Sequence, residues 1–286
     1  PENKLFISTL AKENNALILS LEHRFYGLSQ PFSDLSTEHL RYLTVDQALD
    51  DLANFIYWAK TNSTLNIGED RKWVTYGGSY PGALSAWFRY KYPHLTAGAV
   101  ASSAVINVIT DFGEYDRQIY LSALKSGKNC TDRIQELVQH VEERLNTSDA
   151  EAAALKKEFN ADNLTNLEFL YYYSDSFSGM VQYGQRTQLC QYMENDNFQV
   201  RYDNLKKAVM GNDPAPYSAA VVRNDSFWPA RDSMRQWTWQ TCIEMGWFQA
   251  ANPNASESLR SQQVTVEFFK SFCEEVFGAG YVPDEK

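Results

Sequence analysis

Apolar and polar positions along the chain follow two different patterns, and the change falls near residue 110. Before it, the predicted elements are helix 4–13, strand 16–21, helix 44–60, strand 72–76, helix 83–91 and strand 97–105. Thr44 is a predicted N-cap because Gln47 follows three residues later. Alternation of this kind predicts a parallel α/β sheet, with ligands bound at the carboxyl ends of its strands.

The second part of the chain is predicted to be mainly helical. Apolar residues have helical spacing over 132–145, and 150–159 is rich in alanine and charged residues. Aromatic residues are dense here, which is typical of packed helices and also of an apolar binding pocket. We therefore predict a core segment over 1–110 and a mainly helical region over 111–286, whose last part returns towards the core.

The clearest chemical signal follows the second predicted strand. Residues 73–82 read W-V-T-Y-G-G-S-Y-P-G, which is typical of a nucleophile elbow with Ser79 at a sharp turn from strand to helix. Gly77 and Gly78 are expected to provide the small neighbours that such a turn needs. Pro81 departs from the usual G-x-S-x-G, but a proline in the first turn of a helix loses no hydrogen bond. The alternative is an ordinary glycine turn before a buried helix.

Composition limits the class of protein and of partner. The chain has 286 residues, of which 44% are hydrophobic, so it can bury a core as one large domain or two ordinary ones. Its net charge of −10 argues against nucleic acid or an anionic membrane as a partner. No apolar run reaches the ~18 residues of a membrane span, and the first residues do not form a signal peptide. We expect any targeting segment to have been removed.

Cysteines and glycosylation motifs indicate the secretory pathway. Six N-x-S/T motifs occur, at Asn62, Asn129, Asn146, Asn163, Asn224 and Asn254. The four cysteines lack the spacing of a metal site, so we predict two disulfides and no metal. Three pairings are possible. We favour Cys242 with Cys273, which flank a local segment that closes easily, and hence Cys130 with Cys190.

A serine nucleophile needs a base, usually a histidine, and none of the four histidines suits the task. His94 follows the elbow helix, which carries it roughly 15 Å from Ser79. We expect His140 to be a solvated surface residue and His39 to lie at a helix start. His23 leaves a strand at the correct end of the sheet, but it precedes the serine, whereas elbow hydrolases place histidine last. The base and its acid partner are therefore expected outside these residues, and the chain alone should have little or no activity.

Five short segments resemble one family of enzymes: E-H-R-F-Y-G at 22–27, G-G-S-Y-P-G at 77–82, K-Y-P-H at 91–94, A-S-S-A at 101–104 and W-Q-T-C at 239–242. Together they are similar to the lysosomal Pro-Xaa carboxypeptidase family of serine peptidases, and most to its thymus-specific serine protease type. The resemblance implies the α/β fold class, and within it a partial α/β-hydrolase fold with a helical cap insertion. It also implies Ser79 as the nucleophile and no cofactor. The family's acid lies in an Asn-Gly-x-x-Asp-Pro-Trp segment and its base in a later histidine, and neither occurs in this sequence.

The resemblance further implies a peptide substrate that is cleaved after proline or a small residue, as a carboxypeptidase or a dipeptidyl peptidase. The backbone N–H of Tyr80 is the expected oxyanion donor. Candidate pocket residues are His23, Arg24, Trp239 and Trp247. Sequence leaves open which charged group holds the substrate terminus. We expect a lysosomal, vacuolar or extracellular protein that forms a homodimer; an esterase or lipase and an inactive peptide-binding homologue are the alternatives.

Overall fold

The computed structural model describes residues 5–62, 64–65, 67–68, 70–226 and 233–283. The chain forms two compact units. The first comprises Pro1–Val108 with Ser226–Gln236, and the second comprises Ile109–Asp225 with Trp237–Lys286. The division after Val108 lies two residues before the domain boundary predicted from the sequence. The sequence pattern did not indicate that a short later segment belongs to the first unit.

The first unit combines helices with a small parallel sheet. Its elements are α1 (Phe6–Glu13), α2 (Thr37–Leu40), α3 (Val45–Thr61), β1 (Val74–Gly78), α4 (Tyr80–Lys91) and β2 (Gly98–Ser102). Strands β1 and β2 are parallel neighbours, in a register that pairs Val74 with Gly98 and Gly78 with Ser102. Helix α4 connects them, so the unit contains a β-α-β crossover whose strands end side by side.

Helix α3 begins as the sequence predicts. The Thr44 hydroxyl accepts a hydrogen bond from the Gln47 N–H at 3.2 Å, which confirms the predicted cap. Its apolar face packs against α4, with Ile56 and Phe88 almost fully buried. Burying an aliphatic or aromatic side chain of this size contributes roughly 1.5–3 kcal/mol, so this contact fixes α4 and with it the end of β1.

The predicted strand over 16–21 is wrong. These residues are in no strand, and Leu17 remains 65% exposed. An apolar run shows a preference for burial, but a strand also needs a neighbour to take its backbone hydrogen bonds. In the described chain, the sheet of the first unit contains β1 and β2 only. The predicted strand 97–105 is shorter than expected, because Ser103 turns away with a φ of 46°.

The second unit is mainly helical. Its elements are β3 (Ile109–Asp111), α5 (Gly113–Leu124), α6 (Lys128–Thr147), α7 (Asp149–Glu158), α8 (Asn166–Gln182), α9 (Arg186–Tyr192), α10 (Phe198–Val209), α11 (Ala219–Val222), the end of α12 (Met234–Gln240), β4 (Gly246–Phe248) and α13 (Val266–Phe277). Strand β3 pairs in parallel with β4. The unit is held by two disulfides, Cys130–Cys190 between α6 and α9 and Cys242–Cys273 to α13, which is the pairing favoured from the sequence.

His140 differs from its predicted environment. The amphipathic pattern of α6 places it on the polar face, and we expected a solvated side chain. Instead the imidazole is half-buried and packs edge-to-face against Phe198 and Tyr202, at centroid distances of 4.9 and 5.6 Å. Both aromatic rings belong to α10, a partner that the pattern of α6 alone could not reveal.

A buried carboxylate organises the loop before α13. Asp116 is fully buried and accepts hydrogen bonds from the N–H groups of Asn252 and Leu259, each at 2.9 Å, and from the Ser258 hydroxyl. Replacing Asp116 with asparagine turns one acceptor oxygen into a donor that faces a donor. We expect Asp116→Asn to lower the free energy of unfolding by about 3 kcal/mol.

Urea denaturation of the two purified variants checks this, with Asp132→Asn as the matched control. Asp132 is an exposed carboxylate that pairs with Lys128 on the surface of α6. Exposed pairs of this kind contribute about 0–1 kcal/mol, so the control should unfold close to the wild type. Equal stability of the two variants would contradict the role given to Asp116.

Candidate active site

Ser79 occupies a strained turn between a strand and a helix. Strand β1 ends at Gly78 and α4 begins at Tyr80, so Ser79 alone makes the turn, with φ 58° and ψ −130°. Its N–H donates to the Ser102 carbonyl at 3.0 Å, and its carbonyl accepts from the Ala83 N–H at 3.0 Å. A non-glycine residue in this region is strained by about 1–3 kcal/mol, which the surrounding hydrogen bonds must offset. The side chain is exposed.

Two glycines allow the helix to approach the strands this closely. A Cβ on Gly77 would lie 2.1 Å from the Pro81 carbonyl oxygen, and one on Gly82 would lie 2.9 Å from the Ser102 carbonyl oxygen. A Cβ on Gly78 would meet nothing nearer than 3.8 Å. The expectation that Gly77 and Gly78 supply the small neighbours is therefore correct for Gly77 only.

Other non-glycine residues of the first unit also have a positive φ. Ser103 directly follows β2 with a φ of 46°, so each of the two paired strands runs into a left-handed serine. Phe25 has a φ of 65° although its side chain is fully buried. Backbone strain of this kind persists only where the surrounding structure enforces it, and it is frequent at active sites.

His23 contacts the residue that follows the candidate nucleophile. Its Nε2 lies 3.0 Å from the Tyr80 hydroxyl oxygen, and its Nδ1 lies 2.8 Å from the Arg24 carbonyl oxygen. The His23 ring also meets Tyr26 edge-on at 5.1 Å. Burial lowers the pKa of His23 from its usual 6.5 and so favours the neutral form of the ring. The structure thus brings two predicted site residues, His23 and Tyr80, together.

Arg24 directs its guanidinium to α3 and the segment before it. Nε and Nη2 bind the two carboxylate oxygens of Asp51 at 2.6 and 2.7 Å. Nη1 donates to the Tyr42 carbonyl at 2.7 Å and to the Gln47 side-chain oxygen. A bidentate pair with two further bonds is a strong anchor. This pocket candidate therefore secures the 22–30 loop to α3.

The 22–30 loop is closed by its own carboxylate. Glu22 accepts from the Leu28 N–H at 3.0 Å, and its hydrogen bond with Ser29 lowers its pKa. Gly27 has a φ of 55°, which favours glycine, and a Cβ there would lie 1.9 Å from Glu22 Oε1 and displace that carboxylate. The charge of Glu22 is therefore used within the loop.

The remaining histidines have other partners. His94 Nε2 pairs with the Tyr57 hydroxyl at 3.2 Å, and His39 Nδ1 pairs with Asp34 at 2.7 Å. The fourth, on α6, packs against α10 as described above. Across the part of the chain that the structure describes, no histidine makes a hydrogen bond to the Ser79 hydroxyl.

The two tryptophans predicted for the pocket belong to the second unit and are both buried there. Trp247 has a φ of 53° and lies beside Trp237, with ring centroids 6.3 Å apart. Trp239 packs against Phe277 at 5.2 Å and Tyr281 at 5.6 Å. Trp239 is thus a packing residue of this unit, while Trp247 combines a buried side chain with a backbone in the left-handed region.

The glycosylation motifs lie at the surface of the protein. The asparagines of the glycosylation motifs are exposed, except that Asn62 is half-buried. Within the described ranges, no three His, Cys, Asp or Glu residues are grouped so as to hold a metal ion. None of the helices there combines the length and apolar character that crossing a membrane requires.

Sequence reasoning missed Gly82 and Asp51. A signal for Gly82 was present, since it is the glycine of the elbow motif displaced by one position by Pro81. Asp51 lies on the polar side of a helix and carries no such signal. Its role follows from the fold, which brings Arg24 against α3 across 27 residues of sequence.

An exposed serine in a left-handed turn between a strand and a helix is the arrangement found in serine hydrolases. A family model described as serine carboxypeptidase S28 matches residues 2–285. The chain therefore belongs to the S28 family of serine peptidases.

Individual relatives agree with this assignment. The chain is 38% identical to the probable serine protease EDA2 of Arabidopsis thaliana over 97% of its length. It is 32% identical to the human thymus-specific serine protease over 95% of its length, and 30% identical to the human lysosomal Pro-X carboxypeptidase over 85%. The alignments cover 58%, 58% and 54% of those relatives, so the chain spans somewhat over half their length.

Proposed function

We propose that Ser79 is the nucleophile of a serine peptidase that works through an acyl-enzyme. In this proposal the first unit is part of an α/β-hydrolase core and the second unit is its helical cap. The observation that carries it is the backbone of Ser79, strained and exposed at the end of β1. Close packing of Gly77 and Gly82 supports the same proposal, because a sharp turn from strand to helix needs small residues where the helix approaches the strands.

The chemistry follows from the position of Ser79. Its Oγ attacks the carbonyl carbon of the scissile bond while a base removes the hydroxyl proton, and the carbonyl oxygen becomes an oxyanion. The N–H of Tyr80 is placed at the amino-terminal end of α4, where the helix dipole favours negative charge. The base then protonates the leaving amine, and water hydrolyses the serine ester.

We place the base and its acid partner outside residues 1–286. This is supported by the partners of the histidines, none of which is the Ser79 hydroxyl in the described chain, and by the greater length of the relatives. The exposed side chains of Val74 and Val100 on the paired strands leave room for further sheet or cap. It follows that this chain alone should hydrolyse peptides little or not at all.

For the substrate we propose peptides cleaved after proline or a small residue by an exopeptidase action. The name of the lysosomal Pro-X carboxypeptidase among the relatives supports this class. Trp247 remains a candidate for an apolar pocket, because it combines a φ of 53° with a buried aromatic side chain. Disulfides and glycosylation motifs support a lysosomal or secreted location.

Covalent labelling tests the proposal directly. The 286-residue chain and the product of the full reading frame are treated with a fluorophosphonate, and intact mass and peptide mapping locate the adduct. We expect an adduct on Ser79 in the longer protein and none, or very slow labelling, in the shorter chain, because the base activates the serine. Labelling of the short chain at the same rate would contradict an external base.

A peptide panel then tests specificity in the longer protein. We expect hydrolysis of peptides with proline at the cleavage position to exceed that of matched peptides with leucine by at least about tenfold, as differential binding of one side chain allows. Hydrolysis of simple esters without any dependence on proline would point to an esterase. A protein that is neither labelled nor active would be an inactive peptide-binding homologue.

A further inference from the structure

The hydrogen bonds of His23 determine its tautomer. A backbone carbonyl can only accept, so the contact with the Arg24 carbonyl requires the hydrogen on Nδ1. In the neutral ring Nε2 then carries the lone pair, and the Tyr80 hydroxyl must donate to it. Both nitrogens of the imidazole are therefore engaged by groups other than Ser79.

The segment that presents His23 is held from several sides. The Arg24 guanidinium binds Asp51 of α3 through two bonds, as described above. The Phe25 carbonyl accepts from the side-chain amides of Gln30 at 2.7 Å and Gln236 at 2.8 Å. A loop with this many bonds offers the His23 lone pair at a fixed position, which is the requirement for a positioning group.

The donor of this contact, Tyr80, is the residue next to the proposed nucleophile. Tyr80 is the first residue of α4, directly after Ser79, and its side chain reaches back to a residue 57 positions earlier in the chain. The bond ties the first turn of α4 to the 22–30 loop. Movement of that turn would displace the N–H next to the nucleophile, and errors of about 1 Å in such groups can lower rates by about 100-fold.

We propose that His23 is a positioning residue of the S28 reaction, which holds Tyr80, and through it the oxyanion donor beside Ser79, by accepting a hydrogen bond from the Tyr80 hydroxyl. The inference rests on the proposed role of Ser79. In this inference His23 is not the catalytic base, because its lone pair already accepts a hydrogen bond from the Tyr80 hydroxyl. It is also not a residue that contacts the substrate directly. Around the His23 ring lie the Tyr26 ring, the Tyr80 hydroxyl and the charges of Arg24 and Asp51.

The hydrogen-bond pattern can be measured without any activity. Imidazole ¹⁵N spectra of the 286-residue chain should show His23 with its hydrogen on Nδ1, the less common tautomer of free neutral histidine. In Tyr80→Phe the Nε2 resonance should move to the value of an unbonded lone pair, while Nδ1 is unchanged. A hydrogen on Nε2, or no response to Tyr80→Phe, would overturn the inference.

Two substitutions of His23 separate its two bonds. Asparagine places an amide N–H near Nδ1 and keeps the bond to the Arg24 carbonyl, but it cannot accept from Tyr80. Glutamine places an amide oxygen near Nε2 and keeps the acceptor for Tyr80. In the full-length protein we expect His23→Asn and Tyr80→Phe each to lower kcat about tenfold with KM changed less than about twofold, and His23→Gln to retain most of the activity.

The double variant and the wild type complete the test. Because His23→Asn and Tyr80→Phe remove the same bond, the double variant should be no slower than either single one. If the wild type hydrolyses peptides and His23→Asn matches it, the positioning role is wrong and the proposed function stands. If His23→Gln is the impaired variant, His23 serves only to close its own loop. If the wild-type full-length protein is inactive, the proposed function itself fails and this role fails with it.

Discussion

Replacing Ser79 with glycine is expected to abolish hydrolysis by the full-length protein and to make the fold more stable. The first effect follows from loss of the only group proposed to form the acyl-enzyme, and kcat should fall by at least about 10⁴-fold. The second follows from the φ of 58° and ψ of −130° at this position, which glycine adopts without strain. After subtraction of the flexibility that glycine adds to the unfolded chain, a gain of about 1 kcal/mol remains.

Ser79→Ala is the matched control for this experiment. Alanine also lacks the hydroxyl, but it keeps the Cβ that makes the turn strained. Both variants should be inactive and unlabelled by a fluorophosphonate, and only the glycine variant should unfold at a higher temperature than the wild type. Equal melting temperatures for the two variants would mean that the turn stores no strain. Activity in either variant would remove Ser79 from the mechanism.

The sharp turn at Ser79 could be predicted from the sequence because its causes lie within a few residues. Gly77 is a local requirement of this sharp turn, Pro81 is compatible with the first turn of the helix that follows, and both lie within two residues of Ser79. The cap of α3 is equally local, since Thr44 and Gln47 are three residues apart. Features whose causes lie within a few residues are the ones that a single sequence reveals.

Features caused by distant residues were missed or wrongly assigned. The apolar run over 16–21 predicts a strand, but the described chain offers it no pairing partner. His140 became half-buried because α10 covers it, and the Asn252 N–H finds Asp116 across 136 residues of sequence. The contact between His23 and Tyr80 belongs to the same class. Sequence placed both residues near the site but could not show that they bind each other.

Only the three-dimensional packing shows which of the glycines in the elbow must lack a side chain. Gly77 and Gly78 are adjacent and look equivalent in the sequence, but α4 turns back over only one of them. A Cβ on Gly77 would lie 2.1 Å from the Pro81 carbonyl oxygen and 2.7 Å from the Gly82 nitrogen. Both are backbone atoms of the first turn of α4, so neither can move without moving the helix.

Gly77→Ala is therefore expected to have the largest effect on stability of any substitution in the elbow. We expect a loss of about 3 kcal/mol or more in the first unit, because overpacking against backbone leaves no side chain to rearrange. Gly78→Ala should change stability by less than about 1 kcal/mol, since its nearest neighbour would be at 3.8 Å. Gly82→Ala should lie between them: its Cβ meets the Ser102 carbonyl at 2.9 Å, but alanine favours the helix by about 1 kcal/mol.

Thermal denaturation of the three variants of the 286-residue chain measures this order, and hydrogen exchange of β1 and β2 assigns it to the first unit. The same order should hold for fluorophosphonate labelling of the full-length protein. A helix that is pushed away from β1 carries the Tyr80 N–H with it, so Gly77→Ala should slow labelling more than its stability loss alone explains. If Gly77→Ala and Gly78→Ala behaved alike, the close crossing of α4 over β1 would be wrong, and with it the physical basis for treating Ser79 as the nucleophile.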